Sequence, residues 1–130
     1  MKVNIIGAGP AGLYAAILLR QSRSDIDVTV YERNPAGATF GFGVVFSDNA
    51  LAFLKADDPA TYALITPAME TWNDVQINHR GESIVIDGVG FSAIGRLDLL
   101  RLLEARAAQA DVHPIYRHEV GALDELPHAD

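Results

Sequence analysis

The chain has 130 residues, with 10 Lys and Arg against 17 Asp and Glu, a formal charge of −7 and 49% apolar residues. That is one globular domain's worth of chain, and the acidic excess argues against a nucleic acid or an anionic membrane as partner, since both need basic surface. Without cysteine there is no disulfide framework, thiolate metal site or cysteine nucleophile; a reducing compartment is compatible with this without being proven by it, and the cytoplasm is the expected setting.

From Val3 to Leu19 no residue is charged, but glycines and Pro10 interrupt the run and no small-residue cleavage site follows it. It therefore reads as folded structure, not as a signal peptide or membrane span. Val3–Ile6 is a β-branched run stopped by Gly7, the pattern of a strand buried on both faces. Leu13, Ala16, Ile17 and Leu19 then recur at helical spacing, and the helix should fade around Gln21–Ser24. Val28–Tyr31 is the next strand, closed by Glu32-Arg33. Strand, helix, strand over so short a stretch is a right-handed crossover and implies a parallel sheet.

Asn34–Phe46, with Gly37, Gly41 and Gly43 and no clear period, reads as an extended loop. Ser47 or Asp48 caps a short helix that Asp57-Asp58-Pro59 ends. Across Thr71–Asp87, Trp72, Val75 and Ile77 are followed by His79-Arg80-Gly81-Glu82 and Ile84-Val85-Ile86, a hairpin signal in which Trp72 would pack. Leu97–Ala110 is the most regular helix, and Ile115-Tyr116 with Val120 suggests a last strand or strand pair. His118–Asp130 is polar and has no closing helix, leaving two or three parallel strands; the expectation is the front part of a larger protein, and the plainer reading a small complete domain. The spacing of His79, His113, His118 and His128 matches no metal site.

Gly7-Ala8-Gly9-Pro10-Ala11-Gly12 is G-x-G-x-x-G, set between a strand and a helix, and Glu32 ends the second strand 20 residues after Gly12. That context is what a dinucleotide-binding turn requires. Gly7 permits the tight turn, Gly9 lets the backbone approach a diphosphate, and Gly12 lets helix pack on strand; the helix start favours the anion. Glu32 suits a ribose with free hydroxyls and would repel a 2′-phosphate. The plainer readings are a strand-to-helix turn with no ligand and a solvated acid at a strand end.

These segments resemble the amino-terminal unit of FAD-dependent aromatic hydroxylases, the single-component p-hydroxybenzoate hydroxylase-like monooxygenases. Gly41-Phe42-Gly43-Val44-Val45-Phe46-Ser47 is similar to that family's flavin-side loop, closest to the salicylyl-CoA, 2-aminobenzoyl-CoA and tryptophan hydroxylase branch. Ile94-Gly95-Arg96-Leu97-Asp98-Leu99-Leu100 is similar to its I-x-R-x-x-L-x-x-L segment. The resemblance implies an α/β fold: a Rossmann-like FAD-binding βαβ unit with a parallel sheet and an inserted antiparallel hairpin, forming an incomplete domain. Residues 1–130 would be the amino-terminal part of the FAD-binding domain, with the hairpin at 71–87 on the substrate-domain side.

By the same resemblance Gly7, Gly9, Pro10, Ala11 and Gly12 take the FAD diphosphate, Glu32 holds the adenosine ribose and Arg33 lies beside it. Gly41 and Gly43 pass close to the flavin, and Arg96 contacts its ribityl or phosphate portion. The plainer readings are a flexible glycine loop and an exposed arginine at a helix start. The implied reaction uses NAD(P)H and O2 to hydroxylate a small aromatic substrate, a CoA thioester among the candidates. The catalytic residues and the substrate pocket are not legible in these residues, and the piece alone is expected to be inactive. The alternatives are an FAD- or NAD-dependent dehydrogenase, reductase or cyclase with the same front unit, or a dinucleotide-binding module without turnover.

Overall fold

The computed structural model describes residues 1–88 and 90–130. In chain order the elements are β1 (Lys2–Ile6), α1 (Pro10–Ser22), β2 (Asp27–Glu32), β3 (Gly43–Ser47), α2 (Asp48–Asp57), α3 (Pro59–Ile65), β4 (Glu70–Trp72), β5 (Val75–His79), β6 (Glu82–Ile86), β7 (Phe91–Gly95), α4 (Arg96–Gln109) and β8 (Ile115–Tyr116). The chain divides into two compact units, residues Met1–Phe40 with Leu99–Asp130, and residues Gly41–Asp98.

The first unit holds a parallel sheet in the order β1-β2-β8. The crossover helix α1 buries Leu13, Ala16 and Ile17, one stripe at helical spacing, and β2 buries Val30 and Tyr31. Leu99, Leu100, Leu103 and Ala107 of α4 supply the remaining apolar face. The expected two-faced burial of β1 is corrected. Lys2 and Ile6 are exposed and Val3–Ile5 only half-buried, because β1 pairs with a single strand and the central position goes to β2. On the other side of β1, Asn4 Nδ2 donates to Pro127 O at 2.8 Å and Asp130 N–H to Lys2 O at 3.1 Å.

Arg20 ties the far end of this unit together. Its Nη1 donates to Ser24 O (3.0 Å) and Ile26 O (2.8 Å), and its Nε to Ala110 O (3.3 Å). Arg20→Met keeps the stem but strands three acceptors. The expected loss is about 2 kcal/mol of stability, seen as a lower urea midpoint with an unchanged slope.

The second unit contains an antiparallel sheet in the order β3-β7-β4 and the separate hairpin β5-β6. Ser47 caps α2, its Oγ accepting from Ala50 N–H at 3.3 Å. Asp58 ends α2 and opens α3, accepting from Thr61 N–H (3.1 Å) and Thr61 Oγ1 (2.5 Å) while itself buried. Two expectations are corrected here. Gly43–Ser47 is a strand, since Val44-Val45-Phe46 pairs with β7 although its glycine-rich flanks read as loop. Thr71-Trp72 belongs to β4, where Trp72 stacks on Phe91 with ring centroids 6.1 Å apart. The hairpin proper is Val75–Ile86, turning at Arg80-Gly81 with φ of 51° and 84°. One of its faces carries the pairs Val75–Ile86 and Ile77–Ile84; Gln76, Val85, Asn78 and Ser83 lie on the other. Val120 lies in no strand.

Candidate nucleotide site

At the end of β1 the backbone reverses through Gly7, whose φ of +103° lies in the left-handed region that side chains avoid. The Gly7 N–H donates to Tyr31 O at 2.7 Å, which anchors the turn on β2. Gly9 precedes α1 with extended backbone (φ −70°, ψ 176°) and no side-chain cap, and Pro10 stands in the first helical turn, where a missing N–H costs nothing. The N–H groups of a first turn have no partner within their helix and carry its positive dipole end.

The three glycines answer to different constraints. A Cβ built on Gly7 or Gly9 meets nothing within 4 Å, so the space in front of the turn is open. A Cβ on Gly12 would fall on the Gly7 carbonyl oxygen and lie 3.3 Å from Ile5 Cγ2. Gly12 is a packing glycine, while neither packing nor backbone conformation within the unit requires glycine at position 9.

Glu32 faces this turn. Its Oε2 accepts from Ala8 N–H at 2.9 Å, and its Oε1 from Asn34 N–H at 2.8 Å and Asn34 Nδ2 at 2.7 Å. Partial burial raises the carboxyl's pKa, but the donors from Asn34 and Ala8, together with the Arg33 charge, outweigh it; the net position is below the ordinary carboxylate value. Beside Glu32 lies a cavity of about 350 Å³, walled by Ile6, Gly7, Tyr31, Arg33, Asn34 and the His118–Val120 segment. Arg33 itself is exposed. The His118 ring packs on Tyr31, centroids 4.9 Å apart. Nearby, Tyr116 Oη donates to Glu104 Oε1 at 2.5 Å. Burial, that acceptor, and the charges of Glu104 and Glu32 push the phenol far above its usual range, so it stays a neutral donor.

The remaining residues singled out in the sequence cluster in the second unit. Arg96 opens α4 and donates its N–H to Phe42 O at 3.2 Å. Gly41 has φ +99°, and a Cβ there would lie 3.6 Å from Arg96 Cδ; a Cβ on Gly43 would press on Ile94 O at 3.0 Å. The Arg96 Nε is buried and lacks a hydrogen-bond partner. Thus Gly7–Gly12, Glu32 and Arg33 are assembled in one unit, and Gly41, Gly43 and Arg96 in the other. Asn34 and His118–Val120 were not anticipated. An amide two residues after the acid was the available signal for Asn34; the wall after β8 had none, because it is reached only through the long crossover from β2.

Among the described residues no His, Asp and Glu group is arranged to hold a metal, and no helix is long and apolar enough to cross a membrane.

Residues 5–65 match the family model of the NAD(P)-binding Rossmann-like domain. All 130 residues align with the salicyloyl-CoA 5-hydroxylase of a Streptomyces species at 42% identity, covering 25% of that protein. The chain is a homologue of aromatic monooxygenases. As such it also aligns along its whole length with the protodeoxyviolaceinate monooxygenase of Chromobacterium violaceum, at 28% identity and 35% of that protein. Against crystalline 2-methyl-3-hydroxypyridine-5-carboxylic acid oxygenase the TM-score is 0.75 at 24% identity, over 89% of this chain and 31% of that one, a likeness of fold. The chain thus spans about a quarter to a third of the length of these relatives. Its Rossmann-like βαβ unit contains the turn, Glu32 and Arg33 described above.

Proposed function

We propose that this chain is the nucleotide-binding front of an FAD- and NAD(P)H-dependent aromatic hydroxylase. The observation that carries this reading is the Glu32 carboxylate lying on the N–H of Ala8, beside a turn whose Gly7 and Gly9 face open space. The diphosphate of FAD would take the N–H groups and dipole of the Gly7–Gly12 turn, with Pro10 and Ala11 in its first helical residues. Glu32 would accept from the adenosine ribose, with Arg33 alongside; its charge disfavours a 2′-phosphate there. Within the second unit, the unpartnered Nε of Arg96 beside Gly41 suits a donor to a phosphate or carbonyl oxygen.

FAD, when bound, supplies the redox and oxygen chemistry; these residues supply binding, orientation and charge. The net reaction takes NAD(P)H, a proton, O2 and an aromatic C–H to NAD(P)+, water and a phenol. The 42% identical relative is named for a CoA thioester, so an aromatic acyl-CoA is the substrate class we propose, and the cytoplasm the setting. The test is turnover by the polypeptide that carries this front. An aromatic acyl-CoA should accelerate NAD(P)H oxidation and yield a product containing isotopically heavy oxygen from O2. Flavin reduction with no oxygen in the product would replace the hydroxylase by a dehydrogenase or reductase.

A further inference from the structure

We propose that Asn34 is the positioning residue of this site: it fixes one oxygen of Glu32 from two sides and leaves the other as the oxygen offered to a ribose hydroxyl. The inference rests on the reading of Glu32 as the sugar ligand. A carboxylate has two oxygens and about four lone-pair sites. Oε1 takes both the N–H and the Nδ2 of Asn34, so its two sites are filled. Oε2 takes only Ala8 N–H, from the turn, and keeps one site. The side chain that would bind the sugar is therefore locked from the side away from the turn.

Asn34 is itself held. Its carbonyl accepts from Arg117 N–H at 3.1 Å, and the Glu32 carbonyl from His118 N–H at 2.9 Å. Pro35 follows, and a residue before proline is confined to extended backbone. Asparagine is also the side chain the geometry asks for. Aspartate would set a second carboxylate against Glu32, and alanine would lose the Nδ2 donor while keeping the N–H. The other charged or titratable groups near Glu32 are Arg33, which follows it in the chain, Tyr31 before it on β2, Tyr116 on β8, and His118 and Glu119 along the cavity.

A turn residue and a positioning residue differ in one respect: only the second acts through Glu32. ADP, which carries the ribose and the diphosphate, is titrated into the protein and its Asn34→Ala, Glu32→Ala and double variants, with NMR shifts as the readout. Asn34→Ala is expected to weaken ADP about three- to tenfold, the scale of one ordinary net hydrogen bond, because the residue-34 N–H still holds Glu32; in the Glu32→Ala background the same change should shift affinity less than about twofold, because interacting residues are not additive. Without any ligand, the Glu32 carboxyl carbon of Asn34→Ala should titrate at higher pH than in the parent. If Glu32→Ala binds ADP as well as the parent, or the parent does not bind it, the sugar role of Glu32 fails and this inference with it. If Glu32→Ala weakens ADP but Asn34→Ala does not, or its effect persists undiminished in the double variant, Asn34 is only a turn residue and the inference alone fails.

Discussion

Replacing Gly12 by alanine is expected to cost at least about 3 kcal/mol, the upper range of overpacking, because the new methyl meets the Gly7 carbonyl, a backbone atom pinned between β1 and α1. Against a total stability of about 5–15 kcal/mol that is a large fraction of the whole, so the melting temperature should fall well below the parent's. Gly9→Ala should behave in the opposite way. Its backbone is extended and its Cβ would enter empty space, so stability should stay within about 0.5 kcal/mol of the parent. Nucleotide affinity should nevertheless fall tenfold or more, on the order of 1.4 kcal/mol, since the methyl would stand in the path of the proposed diphosphate. Circular dichroism melts and ADP titrations on the two variants read these effects separately. A Gly9→Ala protein that binds ADP as tightly as the parent would remove the turn from the nucleotide site.

Glu32→Gln should damage both binding and folding. The amide keeps the shape, but it offers one acceptor oxygen where donors now sit on both carboxylate oxygens. Hydrogen bonds to a charged acceptor contribute about 1.5–3 kcal/mol each, and solvent access to this half-buried group places the loss at the lower end. Affinity for ADP should drop about tenfold or more by the same figure. The pH dependence has a definite sign. The folded carboxyl titrates below its ordinary value, so its contribution to stability is complete above the unfolded pKa of about 4.3. It is lost as the pH falls through the lower, folded value. Between neutral pH and about pH 5 the parent and Glu32→Gln curves should therefore run parallel, and they should converge on further acidification. Denaturation midpoints measured from pH 7 downward check it; curves that diverge in acid would mean Glu32 is protonated in the folded state.

The βαβ unit and its turn were legible because each depends on local chemistry: β-branched residues in β1 and β2, glycines at positions needing φ above zero or close packing, and an acid at a fixed spacing. Ser47 and Asp57-Asp58 marked the ends of α2 for the same reason, since caps are short-range. What escaped depended on pairing partners distant in the chain. Phe91–Gly95 becomes a strand by pairing with Gly43–Ser47 and Glu70–Trp72, and the strand-forming Val44-Val45-Phe46 is too short a run to stand out from its glycine-rich flanks until that partner is in place. The edge position of β1 is of this kind too: β-branching announces a strand but not how many neighbours it has. At the site, Gly7 to Gly12 and Glu32 followed from spacing, whereas Asn34 became visible only when its Nδ2 was placed on Glu32.

The ribbon formed by β5 and β6 stands on its own ladder of main-chain bonds, and Ile77, Ile84 and Ile86 remain substantially exposed. An isolated pair of strands is at best marginally stable in water. Its greasy side is open to solvent, which makes the ribbon the least secured piece of its unit. Fraying should begin there and sticking between copies should follow the same stripe, long before the nucleotide turn loses its shape.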